Sequence, residues 1–446
     1  MKQKILTLVM LLLLAAGCEN NNSTSPNNQE ITMFQVNIEN VAPVYAYTAS
    51  DVFNTPVGTS SPAPIGPGEA YEFNFSAAPG SRLSFATMFV HSNDLFFAPA
   101  QSGIELYDSM GNQNIGDVTS QINLWDAGTE VNQEPGIGVD QAPRQSGPNN
   151  GASDSNMNVR LAMDTYGNLP SVHEVIQVTI QSTSQTGFRV RIENVSDMLT
   201  LQTSDGSSHS VPLAPGVWVI HGMDNPLFTS GMPLSDEGLE AIAEDGNPSL
   251  LGDVLENETG ITQIIAPGVW ANHTNDNPLF VDGMLDNGDG LEALAEDGSP
   301  DALNSSVMSM MDVLSNGIFN TPTGNSNPGP VLPGGSYSFE FEAADGYLSF
   351  ATMLVQSNDL FLSPNTMGIQ LFNNSGTAIN GDITHLLSIW DAGTEVNEEP
   401  GIGLYQAPRQ SGPDMGLDEN GNVRLVNDMF NYPDLSNIIR VTISGM

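Results

Sequence analysis

The chain repeats itself, and the repeat sets the architecture. Leu83 and Leu348, Asp94 and Asp359, Trp125 and Trp390, and Arg144 and Arg409 all stand at one offset of 265 residues. "FQVNIENV" at 34–41 returns as "FRVRIENV" at 188–195, and "FNTPVG" at 53–58 as "FNTPTG" at 319–324. The copies close on "VIQVTIQS" at 175–182 and "IIRVTISG" at 438–445. A pattern written twice calls for two units of one architecture, because like side chains make like demands for burial. The reading is a first module over 33–182 and a second over 187–446. The second is longer because it holds a segment that is itself doubled. "APGVWVIHGMDNPLF" at 214–228 recurs as "APGVWANHTNDNPLF" at 266–280, and "GLEAIAEDG" at 238–246 as "GLEALAEDG" at 290–298. With the duplicated insert placed at 214–257 and 266–310, the first module reads as a shortened copy.

Short runs such as "AYEFNFSA", "RLSFATMFV" and "VIQVTIQ" are rich in β-branched and aromatic residues, several with period-two alternation, and turn-forming Gly, Pro, Asn and Asp clusters divide them. This predicts an all-β chain of two antiparallel β-sandwich domains. Helix is expected only in the "GLEALAEDG" pieces, as short insertions in the second domain that must pack on its sandwich.

Charge narrows the partners. Against 52 acidic residues stand 10 basic ones, a formal net charge of −42, and both lysines, Lys2 and Lys4, lie at the extreme N-terminus. Such a surface repels nucleic acid and attracts cations. Solubility in a salty medium would produce the same excess. Residues 1–17 read as a signal peptide: two lysines, then an apolar run too short to span a bilayer comfortably, then small residues. "LAAGC" resembles the bacterial lipoprotein box, with Ala15 where leucine is more typical. The resemblance implies lipidation of Cys18, the single cysteine, so no intrachain disulfide is possible. Residues 18–32 read as a flexible tether. The expected location is the cell envelope, exported and lipid-anchored, at the outer membrane or cell surface.

Each module also writes "SND" and, about thirty residues on, "WDAGTE". Asp126 and Glu130 flank Gly128, as Asp391 and Glu395 flank Gly393, so a sharp loop can turn both carboxylates to one point. Asp94 and Asp359 enter from another loop. Hard oxygens from two loops suit calcium, whereas zinc or copper would want histidine or thiolate. Acidic loops solvated or paired with arginine remain the alternative at this level. Trp125 and Trp390 read as core anchors, His221 and His273 as hydrogen-bonded structural residues, and Arg144 and Arg409 as partners of module carboxylates. "LDNGDGLE" at 285–292 has an EF-hand composition but misses the spacing of its ligands.

"FNTPVG", "RLSFATMFVHSNDLFFAP", "LWDAGTEVNQEPG" and "QAPRQSGP" resemble bacterial proteins of the spondin N-terminal domain family, over nearly all of 33–182 and 187–446. "APGVW…NPLF…GLEALAEDG" resembles it too, which would make the second module the complete one. The resemblance implies a spondin-type β-sandwich and calcium held through loop carboxylates, at Asp94, Asp126 and Glu130 and at Asp359, Asp391 and Glu395, one ion per domain. Glutamate stands here where the animal motif ends in aspartate, and the disulfides of the animal members are lacking. The implied role is non-enzymatic: a lipid-anchored adhesion or ligand-binding protein whose partner is an extracellular protein or glycan. A carbohydrate-active enzyme using paired carboxylates and a structural envelope spacer are the alternatives.

Overall fold

The computed structural model describes residues 31–446, except Asn225, Asp236 and the side chain of Glu237. The expected signal peptide, Cys18 and nearly all of the expected tether lie outside the described residues. No helix among the described residues is long and apolar enough to cross a membrane.

The chain is all-β in class and forms two domains of like construction. In the first, Ala70–Ser76 shows the expected alternation: Tyr71, Phe73 and Phe75 are buried while Glu72 and Asn74 are exposed. It lies in a four-stranded antiparallel sheet with Gly187–Asn194, Ile176–Ser182 and Gly116–Asp117, in that order. A seven-stranded antiparallel sheet faces it, in the order Ala49–Phe53, Leu213–His221, Arg82–Phe89, Leu95–Pro99, Ile122–Asp126 and Arg160–Leu161, with Ile104–Glu105 beside Arg82–Phe89. Tyr71, Phe85, Phe188 and Trp218 fill the space between the sheets, and Trp218 stacks on Phe73 with ring centroids 5.2 Å apart. Each such aromatic contributes about 2–3 kcal/mol through burial. Strand Arg82–Phe89 is buried at nearly every position because its outer face is covered as well. Two helices, α1 (Glu237–Asp245) and α2 (Ser249–Asn257), lie there, burying Leu239, Ile242, Leu251 and Leu255 against Ala86, Phe96 and Val217.

The second domain repeats this plan. Its seven-stranded sheet runs Val313–Phe319, Ile265–His273, Tyr347–Leu354, Leu360–Pro364, Leu387–Asp391 and Arg424–Leu425, with Ile369–Gln370 at the side. Helices α3 (Leu291–Asp297) and α4 (Asp301–Val307) cover it. The small sheet is Ser336–Ala343, Thr32–Asn40, Ile439–Gly445 and Gly381–Asp382.

Strand pairing corrects the module boundaries. The first strand, Thr32–Asn40, belongs to the second domain, between Ser336–Ala343 and Ile439–Gly445. Its near-copy, Gly187–Asn194, completes the first. Strand Leu213–His221 joins the first domain's large sheet, between Ala49–Phe53 and Arg82–Phe89. The first module is therefore not a shortened copy, and each domain carries its own helix pair. Domain one is continuous from Ala49 to Asn257 and is inserted after the first strand of domain two. Asn194 and Asn40 mark the exchange: each amide donates to two carbonyls of its own domain, Ile65 and Val211 in one, Gln263 and Val331 in the other. The two connecting segments run side by side, with Ala46 N–H donating to the Glu258 carbonyl at 3.1 Å and Gly260 N–H to that of Tyr47 at 3.0 Å. The physical reason is local. Ile176–Ser182 and Gly187–Asn194 form a tight hairpin, which closes at far lower entropic cost than recruitment of a strand more than a hundred residues upstream.

Candidate functional site

The two acidic motifs meet because their strands pair. Asp94 immediately precedes Leu95–Pro99, Asp126 ends the antiparallel neighbour, and Leu95 stands opposite Asp126. Within "SND", Ser92 Oγ accepts from Leu95 N–H at 3.0 Å and shapes the turn. Asn93 Oδ1 accepts from Gln133 N–H at 3.0 Å, and its amide donates to Glu130 Oε2 at 3.1 Å. Gly128 sits at φ 75°, so the chain after Asp126 doubles back toward Asp94.

All six predicted ligands are buried, but they differ in what they have left to offer. Asp94 Oδ2 accepts from Thr129 N–H at 2.8 Å and Glu130 N–H at 3.1 Å, while its Oδ1 has no hydrogen-bond partner. Asp126 is already engaged: Oδ1 accepts from Gly128 N–H at 2.9 Å, and Oδ2 takes the Asn132 amide at 2.7 Å and the Arg160 guanidinium at 2.8 Å. Glu130 is engaged too, by Asn93 and by Gly151 N–H. A Cβ at Gly151 would lie 2.1 Å from the Glu130 carboxylate and would force it to shift; Gly416 matches it at 2.2 Å from Glu395. The second domain agrees in each respect: Asp359 Oδ1 is unpartnered, Asp391 pairs with Arg424 at 2.7 Å, and Glu395 accepts from Asn358 and Gly416.

Sequence reasoning missed a further carboxylate in each cluster. Glu244 on α1 is buried, with no hydrogen-bond partner for either carboxylate oxygen. On α3, Glu296 is its counterpart, with Oε2 unpartnered. The signal was present in "GLEAIAEDG", where Leu239, Ile242 and Ala243 take the sheet-facing stripe and leave glutamates at 240 and 244, one turn apart. Burial pushes the Glu244 carboxyl up to about 8, with the neighbouring Thr129 hydroxyl holding it down in part and the charges of Glu130, Glu240 and Asp94 adding to the rise; the Glu296 carboxyl, beside Thr394, is likewise about 8. Burial and the Asp126 charge hold Asp94 at about 7, and burial with Asp391 does the same for Asp359.

Buried, unpartnered, hard-oxygen donors with raised pKa values are what a bound cation would correct. Among the described residues, however, the carboxylates whose oxygens gather within 4.8 Å of one another are Glu292, Glu296 and Asp414, and neither predicted triad, Asp94, Asp126 and Glu130 or Asp359, Asp391 and Glu395, gathers so. Asp94 and Glu244, or Asp359 and Glu296, offer free oxygens, and the arginine-paired Asp126 and Asp391 act as braces.

Arg144 does not pair with a carboxylate. Burial lowers its pKa, and its guanidinium donates to the Gly138 carbonyl and to Gln141 Oε1; Arg409 repeats this with Gly403 and Gln406. The arginines that pair with the predicted ligands are Arg160, with Asp126, and Arg424, with Asp391. His221 and His273 are satisfied inside the fold. Each Nδ1 donates to a main-chain carbonyl, of Met223 and Asn275, and each Nε2 meets a serine hydroxyl at 2.9 Å. Trp125 and Trp390 are buried against Phe228 and Phe280.

Compared with known proteins, the chain matches no family model and no curated protein.

Proposed function

We propose that this is an exported, lipid-anchored envelope protein whose two spondin-type domains each hold calcium and together bind an extracellular protein or glycan. The observation that carries the reading is the pair of duplicated clusters in which a buried aspartate and a buried helix glutamate keep unpartnered oxygens, Asp94 with Glu244 and Asp359 with Glu296. Calcium takes six to eight oxygens in flexible geometry, so two carboxylates, neighbouring carbonyls and water suffice. The ion would neutralise the cluster and tie the "DAGTE" loop to α1 or α3. The ion's chemistry here is structural: it supplies positive charge, and the chain supplies the rigid loop. Two like sites on one chain support bivalent capture, in which the second contact gains from effective concentration.

The "LAAGC" motif supports the anchor, with Cys18 as the modified residue. The deficit of basic side chains supports excluding nucleic acid and reaching anionic glycans only through the metal. Calorimetric titration of metal-stripped protein should show calcium uptake that falls when Asp94 and Asp359 are both changed to asparagine. Binding to matrix proteins and glycan arrays should be lost with chelator. Absence of heat and of chelator sensitivity would overturn the reading.

A further inference from the structure

The two clusters are not identical at their mouths. In the second domain, Glu292 and Glu296 stand four apart on α3, and Asp414 arrives on a loop docked to that helix through Gln410, whose amide donates to Asp297 Oδ1 at 2.8 Å. One carboxylate oxygen from each of Glu292, Glu296 and Asp414 lies within 4.8 Å of the other two. Glu296 is 3% exposed and its Oε2 has no hydrogen-bond partner. Among the described residues none of the three is in an ion pair with an arginine. The first domain has the same helix glutamates, Glu240 and Glu244, and the same docked loop, held by Gln145 to Asp245. The residue in the place of Asp414 is Asn149, and its amide donates to Glu240 Oε1 at 3.1 Å. One repeat therefore gathers three carboxylates at this point, whereas the other gathers two and an N–H donor.

We propose that Glu292, Glu296 and Asp414 bind a calcium ion at the mouth of the second domain, and that the first domain has no equivalent site. Oxygens about 2.4 Å from a calcium ion stand at most about 4.8 Å apart across it, so the three fit one shell, completed by water on the exposed side. Three carboxylates with no neighbouring cation repel one another, and a hard divalent ion removes that repulsion. The donor set is all oxygen, which disfavours zinc and copper. The amide hydrogen of Asn149 would point toward an ion at the corresponding place, and so blocks it. This site goes beyond the deep clusters proposed above and shares only Glu296 with that reading; a carboxylate can bridge two ions.

The two repeats supply the test. Equilibrium dialysis with radioactive calcium on the full chain counts ions bound. Asp414→Asn should remove one ion per chain, and Asn149→Asp should add one. Both positions are exposed, and far-UV circular dichroism in chelator should match the parent. An unchanged count in D414N, or no gain in N149D, would overturn the proposal. Magnesium giving the same counts at equal concentration would overturn the assignment to calcium. Asp94→Asn with Asp359→Asn separates the two readings, because those changes strip the deep ions and leave the one at Asp414. If D414N loses an ion while the double variant loses none, the mouth site stands and the deep sites fall.

Discussion

In the absence of divalent metal this protein should become less stable as pH rises, against the usual trend for carboxylates. A carboxylate held by a salt bridge has a lowered pKa and stabilises the fold above it. Asp94 and Asp359, at about 7, and Glu244 and Glu296, at about 8, are raised instead. Between about pH 4 and pH 8 the folded chain holds protons that the unfolded chain has released, so the folded state binds more protons and stability falls across that window as pH climbs. For Asp94, moving from its ordinary 3.8 to about 7 corresponds to about 4 kcal/mol against the ionised folded form. Glu244 shares the same field, so the two losses overlap, and roughly 3–5 kcal/mol per domain is expected rather than their sum. The calcium proposed above would take the place of those protons, so the slope should flatten when it saturates the protein. The assay is urea unfolding at several values between about pH 5 and about pH 8, in chelator and in calcium. The chelated midpoint should decline steadily and the calcium midpoint should not. Chelated protein that gains stability over this range would refute the reasoning, because the buried carboxylates would then be paired by something other than metal.

Asp126→Ala should cost about 3 kcal/mol in denaturant unfolding, because it takes the buried carboxylate from Arg160 and leaves Asp154 as the arginine's one remaining ion-pair partner. Gly151→Ala should destabilise the first domain by about 1–3 kcal/mol, since its Cβ must displace Glu130; Gly416→Ala should do the same to the second domain through Glu395. Val36→Asp puts a charge into a fully buried position of the second domain's core. Limited proteolysis with mass mapping should then show cuts within 265–446 and protection across 49–257. The reverse pattern would disprove the strand assignment.

Much of this was legible in the sequence, and each gap has a physical cause. Alternation in "AYEFNFS" announced a strand with one wet face, and "RLSFATMF", with no charge after Arg82, fits a strand covered on both sides. "SND" and "DAGTE" touch, through Thr129 N–H and Asp94, because short antiparallel strands bring their ends together. The division of labour among the carboxylates was hidden: Asp126 and Asp94 look alike in sequence, and only the position of Arg160 decides which one is neutralised. Glu244 was passed over because a glutamate on a short helix is ordinarily solvated, and its burial depends on the sheet beneath it. Domain membership was hidden for a different reason. Two nearly identical strands fit either slot by pattern alone, and chain connectivity chooses between them.

That choice has a consequence for how the protein is made. Thr32–Asn40 leaves the ribosome first among the described strands, yet its partners, Ser336–Ala343 and Ile439–Gly445, are among the last to follow. Until synthesis ends, Phe34, Val36 and Ile38 have no home in their own chain. The hairpin that fills domain one denies them the only earlier vacancy, and the cross-strand contact of Arg191 with Glu72, where the N-terminal strand offers Asn37 instead, favours the later strand. Crowded nascent chains therefore have complementary loose ends, a waiting strand on one and an unfilled groove on the next, so faithful assembly depends on the last strand arriving before a neighbour does.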